Sequence, residues 1–203
     1  MNEELEVKLV KRHPDLFTDY YGDPMKTCMA WGMEHGDGWY SLIESLCEFI
    51  DYNIKRGIVI DITNATSDEG DVEKDFSNNI IRSRMTGRRV LKIKPRVHFE
   101  QIKEKFGSLR IYLSINISHD DQTAVDHYKV NDELNAEFDT FSEVINRMQS
   151  FIERKSEQVC ESCGQPGQLY STGWWKTLCP VHAQKAGRIG NDLSATELIQ
   201  NSN

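Results

Sequence analysis

The chain has 203 residues, of which 38% are hydrophobic, and a formal net charge of −8. This length can hold one sizeable core together with a small module. No apolar run approaches the ~18 residues that a membrane helix requires, and the charged N-terminus has no apolar stretch of the kind found in signal peptides. Five cysteines, an odd number with three of them clustered, fit a reducing compartment better than a disulfide framework. We therefore expect a soluble cytoplasmic protein that does not associate with membranes.

Charge is unevenly distributed along the chain. Six acids and one base lie between Asp61 and Asp75, in a polar stretch that predicts a mobile loop at about residues 63–75. The next segment, between Phe76 and Phe99, has no acid. Its seven basic residues, which we call the basic stretch, are Arg82, Arg84, Arg88, Arg89, Lys92, Lys94 and Arg96. The basic stretch predicts a site for nucleic acid or another anion, and the alternative is a solvated face that balances the acidic loop.

Hydrophobic periodicity predicts two main helices. The first begins near Trp39, carries apolar residues three and four positions apart, and stops at Gly57. The second begins at Asn131, and its apolar residues step by four and three as far as Ile152. Such a stripe must be buried, either against a sheet of the same chain or as the seam of a homodimer. Residues 1–38 contain turn signals and are predicted to be irregular.

The pattern between the helices indicates strands. Residues 57–62 alternate apolar side chains, and residues 88–118 predict a strand, a tight turn at Gly107 and a second strand. The predicted fold class is therefore α+β, with a small antiparallel sheet packed by two main helices and a C-terminal treble-clef-like zinc module. We place the α+β domain at residues 1–157, the zinc module at 158–190 and a flexible tail at 191–203.

The zinc module is predicted from the spacing Cys160-x2-Cys163-x15-Cys179-x2-His182. Two residues between the members of each pair let a tight turn aim both side chains at one ion. Three thiolates and one imidazole are a common tetrahedral zinc set. A glycine follows the second cysteine, where a knuckle needs a left-handed residue, and Pro180 favours a helix start. We predict one structural zinc ion, because four protein ligands leave no open coordination position for chemistry.

One alternative for the metal is catalytic. The stretch HFE at residues 98–100, followed by a C-x-x-C pair, imitates the signature of zinc deaminases. Three features oppose it: no proline precedes Cys160, His98 lies in a strand-like stretch, and Cys179 with His182 already completes the site. We assign no catalytic residue and lean towards a protein that is not an enzyme.

A second candidate site precedes the first predicted helix. His35, Asp37 and Trp39 lie among glycines at the helix N-terminus, where free N–H groups could bind an anion or a phosphate. The alternative is an entry loop in which Asp37 or Ser41 caps the helix. In the zinc module, Trp174 and the tryptophan after it either pack a hairpin or present a contact surface.

Three stretches of the chain together resemble a known set of proteins: GDGWYSLIESLCEFI, QIKEKFGSLRIYL and CESCGQPG…GWWKTLCPVH. Small, mostly uncharacterised proteins of tailed bacteriophages and prophages join a G-D-G-W-x-x-L-I helix, a K-E-K-F-G-x-L-R-x-Y hairpin and a C-terminal C-x2-C…C-x2-H module in this order. Residues 1–27, 61–90 and 118–158 lie outside the match. The resemblance implies the same four zinc ligands, a phage origin and a place in the cytoplasm of a bacterial host, but no particular activity.

These observations lead us to expect a phage accessory protein that binds a host protein or a host-made ligand, for example to counter a defence system. Two other functions stay open. One is a nucleic-acid-binding zinc protein that uses the basic stretch. The other is a sponge that sequesters a nucleotide signal, using the basic stretch and the loop that carries His35, Asp37 and Trp39.

Overall fold

The computed structural model describes residues 1–65, 80–82 and 88–189, and of residues 80–82 it describes only the backbone. The helices are α1 (Glu3–Arg12), α2 (Tyr40–Arg56), α3 (His119–Tyr128), α4 (Asn131–Ser156) and α5 (Pro180–Lys185). The strands are β1 (Ile58–Asp61), β2 (Ile80–Arg82), β3 (Arg89–Ile93), β4 (Arg96–Lys105), β5 (Ser108–Asn116), β6 (Gln168–Tyr170) and β7 (Lys176–Leu178). The predicted α+β class with small antiparallel sheets is confirmed. Within the described residues, no helix is both long enough and apolar enough to cross a membrane.

Helix α1 corrects the prediction that residues 1–38 are irregular. The side chain of Asn2 caps the helix by accepting a hydrogen bond of 2.9 Å from the N–H of Leu5. Acidic residues in the first turn and basic residues in the last turn stabilise the helix by interacting favourably with its dipole. Only Leu9 and Val10 are buried apolar residues of this helix, so the apolar stripe is too short to be recognised as a period.

Contacts divide the described chain into two compact units. The first unit contains residues 1–49, 98–114 and 147–189, and the second contains the described parts of 50–97 and 115–146. The predicted module at 158–190 therefore belongs to the first unit as far as residue 189. Residues 191–203, and residues 66–75 of the predicted acidic loop, lie outside the described part of the chain.

The β4–β5 hairpin is a two-stranded sheet of the first unit, and its turn lies at the predicted position, with Gly107 at φ +74°. Side chains of α4 accept hydrogen bonds from backbone N–H groups at the outer edge of β5. The N–H of Leu109 donates to the Ser156 hydroxyl, and the N–H of Ile111 donates to the Glu153 carboxylate, both over 2.8 Å. An edge whose backbone groups are already bonded does not recruit another strand at these positions.

The second unit contains a three-stranded antiparallel sheet with β3 in the middle, between β1 and β2. Burial alternates along β1, so that Ile58 and Ile60 face the core while the other side of the strand is exposed. Pro95, which has no N–H to donate, separates β3 from β4, so the predicted stretch of residues 88–118 gives three strands rather than two.

Both predicted main helices are confirmed. Helix α2 ends at Arg56, and Gly57 follows it with a φ of +66°, which closes the helix as expected. Helix α4 begins at the predicted Asn131. The stripe of α4 is buried within the chain at Leu134, Phe141, Ile145 and Ile152.

Candidate metal centre

The metal centre is built from a knuckle, a hairpin and a helix start in the C-terminal part of the first unit. In the knuckle, the N–H of Cys160 donates to the carbonyl of Gln165 over 2.7 Å and the N–H of Gly164 donates to the carbonyl of Cys160 over 2.9 Å. Gly164 has the left-handed φ of +76° that the spacing predicts. The β6–β7 hairpin turns at Gly173, also left-handed, with φ +71°.

Helix α5 supplies the second pair of ligands. Cys179 is its N-cap residue and Pro180 its first residue, as predicted. The N–H of Ala183 donates to the carbonyl of Cys179 over 2.8 Å, which places Cys179 and His182 on the same helical turn. A small core of buried side chains supports the arrangement: Cys160, Leu178, Cys179 and Ala183.

The four ligand atoms of Cys160, Cys163, Cys179 and His182 lie within 4.8 Å of one another and could bind one metal ion. The Sγ atoms of Cys163 and Cys179 are 3.8 Å apart, far beyond a disulfide bond. Two thiolates bound to one tetrahedral ion at about 2.3 Å each lie about 3.8 Å apart. The Nδ1 atom of His182 lies 3.2 Å from the sulfur of Cys179 and 3.7 Å from that of Cys160. The residues therefore fit a single tetrahedral ion.

The two thiols of the knuckle have pKa values that are shifted in opposite directions. Burial raises the pKa of the Cys160 thiol, but the backbone N–H groups of Cys179, Cys163 and Ser162 outweigh burial and lower this pKa below its usual value. Burial, together with the neighbouring sulfurs of Cys160 and Cys179, raises the pKa of the Cys163 thiol to about 11. Thiols so close together ionise jointly only when a positive ion lies among them.

The GDGW loop, residues 36–39, packs directly on the metal knuckle. The N–H of Gly38 donates to the carbonyl of Glu161 over 2.8 Å, and the indole N–H of Trp39 donates to the carbonyl of Val159 over 2.8 Å. A Cβ atom on Gly38 would lie 2.1 Å from the carbonyl oxygen of Cys160. The glycine at this position is thus required by the close approach of two backbones.

Glu161 strengthens the same contact. One of its carboxylate oxygens accepts a hydrogen bond of 3.2 Å from the N–H of Gly36, and the ammonium of Lys176 lies 2.7 Å from the same oxygen. The carboxylate is almost fully buried. Loss of its partner would therefore destabilise the fold more than loss of a surface ion pair would.

We call residues 158–189, which carry the four candidate ligands, the metal module. The turn of the β4–β5 hairpin also packs on this module. The hydroxyl of Thr177 donates to the carbonyl of Gly107 over 2.6 Å. A Cβ atom on Gly107 would lie 2.4 Å from a methyl carbon of Leu169. The three motifs that are far apart in sequence, GDGW, KEKFG and the ligand pairs, therefore meet at one place in the first unit.

The predicted ligand loop is largely engaged in packing. Trp39 is fully buried, and the carboxylate of Asp37 accepts hydrogen bonds from the backbone and side chain of Asn2, which lower its pKa. His35 is buried, and burial lowers its pKa to about 4. The Nε2 atom of His35 has no hydrogen-bond partner among the described residues. Ligand binding by this loop stays a prediction.

The described members of the basic stretch lie in the second unit. The guanidinium of Arg88 is 3.8 Å from the carboxylate of Asp61, and that of Arg89 lies over the ring of Tyr128 at 5.8 Å. The ammonium of Lys92 donates to the carbonyl of Lys55 over 3.0 Å.

The other members of the basic stretch differ in how far they are described. Lys94 and Arg96 are exposed. Of Arg82 only the backbone is described, in β2, and Arg84 lies outside the described residues. Anion binding by the basic stretch stays a prediction.

Among the described residues, the Cys/His cluster is the one group of side chains close enough to hold a metal ion. His98, the residue that imitates a deaminase ligand, lies in β4 and is not part of this cluster. Its ring lies 3.1 Å from the hydroxyl of Ser114 instead.

A pocket that the sequence analysis did not predict lies beside the metal module, with a volume of about 590 Å³. We call it the aromatic pocket, and its lining residues are Glu104, Lys105, Phe106, Gly173, Trp174 and Trp175. The adjacent tryptophans in a turn-forming stretch were the available signal. The presence of Phe106 in the same pocket depends on the packing of the two hairpins and could not be read from the local sequence.

No protein-family model, no curated protein and no solved structure matches this chain significantly.

Proposed function

We propose that this chain is a phage-encoded accessory protein with one structural zinc ion, which acts in the host cytoplasm by binding a host protein. The observation that carries this proposal is the exposed aromatic pocket beside the metal centre. Trp174 is 73% exposed and Phe106 is 63% exposed, although both are residues that folding normally buries. Exposed aromatic clusters mark interaction sites, and tryptophan is enriched among the residues that dominate binding energy.

Zinc is the metal that this donor set favours. Three thiolates and one imidazole at tetrahedral separations suit zinc, and a set of four protein ligands is typical of structural sites. The contacts of the GDGW loop and of the Gly107 turn with the module support the same role. A metal at this place would hold together segments that are more than 100 positions apart in the chain.

Capture of host proteins with matched variants tests this function. The wild-type chain is used as bait in bacterial lysate beside Trp174→Ala, Trp175→Ala and a control, Trp31→Ala. Trp31 is 68% exposed and does not line the aromatic pocket. We expect a defined host protein to be retained by the wild type and by the control, and lost with either pocket variant. Equal retention by all four baits, or no retention by any, would contradict the proposal.

Nucleic-acid binding is the second candidate function. Lys94 and Arg96 flank Pro95, and both are exposed. Lys92 precedes Lys94 by two positions. This alternative predicts binding of a single-stranded or duplex DNA probe whose affinity falls steeply with salt. Lys94→Glu combined with Arg96→Glu should abolish that binding in fluorescence anisotropy. Unchanged binding, or none at low salt, would reject it.

A further inference from the structure

The aromatic pocket presents three ring surfaces next to a fixed carboxylate. The rings of Phe106 and Trp175 meet edge to face, with centroids 5.8 Å apart and an interplanar angle of 62°. The indole N–H of Trp174 donates to one oxygen of the Glu104 carboxylate over 3.3 Å, and the N–H of Gly107 donates to the other over 2.7 Å. Two donors from different hairpins therefore hold the carboxylate of Glu104 in the wall of the pocket.

Phe106 occupies its position at a conformational cost. Its φ of +55° lies in the left-handed region, which asparagine and glycine tolerate and which is unfavourable for a large side chain. The two-residue turn formed by Phe106 and Gly107 is one in which Asn-Gly is the favoured pair. Strain of this kind is typical of ligand-binding positions. The chain here combines a strained backbone with an exposed ring, and neither feature serves the core.

An ammonium group already contacts this surface. The Nζ atom of Lys105 lies 5.4 Å from the centroid of the Phe106 ring, within the range of a cation–π interaction. Lys105 is exposed and its side chain is long and flexible. The ring of Phe106 thus receives a cation from the chain itself, and another cation could displace it.

We infer that the aromatic pocket receives a lysine or arginine side chain of a partner polypeptide, and this inference rests on the proposed binding function. Aromatic ring faces attract cations, most strongly those of tryptophan. The Glu104 carboxylate adds a full negative charge at the same place. The net charge of −8 favours approach of a basic partner over that of a phosphate-bearing ligand.

Two neighbouring residues should have opposite effects on the binding of a cationic side chain. Glu104 attracts the incoming cation, so Glu104→Gln weakens binding severalfold. Lys105 competes with the incoming cation for the Phe106 ring, so Lys105→Met strengthens binding severalfold. A phosphate-bearing or nucleobase ligand gives the reverse pattern at Lys105, because it would use the ammonium as a partner.

Capped pentapeptides test the inference on the full chain. The peptides are Gly-Gly-X-Gly-Gly, in which X is arginine, lysine, trimethyllysine or the neutral isostere norleucine, and adenosine monophosphate serves as the anionic probe. The readout is the nuclear magnetic resonance chemical shift of the indole N–H signals. The variants Trp174→Phe and Trp175→Phe each lack one of these signals and so assign it to its residue. We expect saturable shifts with the three cationic peptides and at least tenfold weaker binding of the norleucine peptide.

Four further outcomes decide whether the pocket binds a cation. Phe106→Asn fits the left-handed turn and should lose the cationic peptides while its far-ultraviolet circular dichroism spectrum is unchanged. Saturable binding of adenosine monophosphate that weakens in Lys105→Met would overturn the inference. Equal binding of the norleucine and arginine peptides, or no shift with any peptide, would also overturn it.

Failure of the inference can be distinguished from failure of the proposed function. If host capture fails while the peptides bind, only the proposed host function fails. If capture depends on Trp174 but the peptides do not bind, only the assignment of a cationic ligand fails.

Discussion

The backbone N–H of Gly38 donates a 2.8 Å hydrogen bond to the carbonyl oxygen of Glu161, the residue that follows the first metal ligand. This bond joins the start of helix α2 to the metal knuckle over more than 120 positions of sequence. The indole of Trp39 adds a second bond to the same segment, at Val159. A metal ion bound at the knuckle would therefore stabilise the entry into α2 as well as the C-terminal module.

Gly38→Ala should disrupt this contact. The added methyl group would lie 2.1 Å from the carbonyl of Cys160, a backbone atom that cannot move aside. We expect the free energy of unfolding to fall by about 3 kcal/mol in urea titration. Gly187→Ala is the control, since its φ is +66° but nothing lies within 4 Å, and it should cost only about 1 kcal/mol. Equal losses in the two variants would refute a steric role for Gly38.

Removal of the metal should destabilise the protein by several kcal/mol, because metal binding to a folded site contributes directly to folding. We expect a strong chelator to lower the melting temperature of the wild type and of Cys28→Ser, whose thiol is exposed and outside the cluster. Cys163→Ser should melt lower from the start and respond little to the chelator. A melting temperature that is the same for all samples with and without chelator would speak against a structural metal.

The turn of the β4–β5 hairpin allows a paired test of stability. Phe106→Asn relieves a left-handed φ but loses the edge-to-face contact with Trp175, so the free energy of unfolding should change by less than about 1 kcal/mol. Gly107→Ala introduces a Cβ atom 2.4 Å from Leu169 at a φ of +74° and should cost about 2 kcal/mol. Denaturant titration of both variants would contradict this account if Phe106→Asn proved the more damaging change.

His35 should make stability depend on pH. Burial lowers its pKa from 6.5 to about 4, so between these values the unfolded chain binds a proton that the folded chain does not. The contribution is fully present above pH 6.5 and is lost as the pH falls towards 4, with a total of about 3 kcal/mol. His35→Asn keeps an N–H donor for Gly36 and should flatten this part of the profile. Acid also releases metal from thiolates, so the measured quantity is the difference between wild type and variant; identical profiles would contradict the prediction.

Much of the metal site could be predicted because its information is local. Two pairs with two intervening residues each, a glycine after Cys163 and a proline after Cys179 specify a knuckle and a helix start without reference to the rest of the chain. Helix α4 was predictable for a similar reason, since a stripe of six apolar residues repeats over about five turns.

The features that could not be predicted depend on contacts between distant segments. Gly36 and Gly38 are consistent in sequence with an anion-binding loop, and only the approach of Glu161 and Cys160 reveals why a side chain is excluded there. Helix α1 was missed because it buries too few apolar residues to show a period. The aromatic pocket brings Phe106 to Trp175 across 69 positions, and no local pattern carries that information.

Titration of the metal-free protein with cobalt(II) tests the central claim most directly, because tetrahedral thiolate coordination gives intense visible and charge-transfer absorption. The account predicts that these bands saturate at one ion per chain, disappear on addition of one equivalent of zinc, persist in Cys28→Ser and are absent or strongly altered in Cys163→Ser. No uptake, weak octahedral bands, or a spectrum unaffected by Cys163→Ser would contradict a single metal centre formed by Cys160, Cys163, Cys179 and His182.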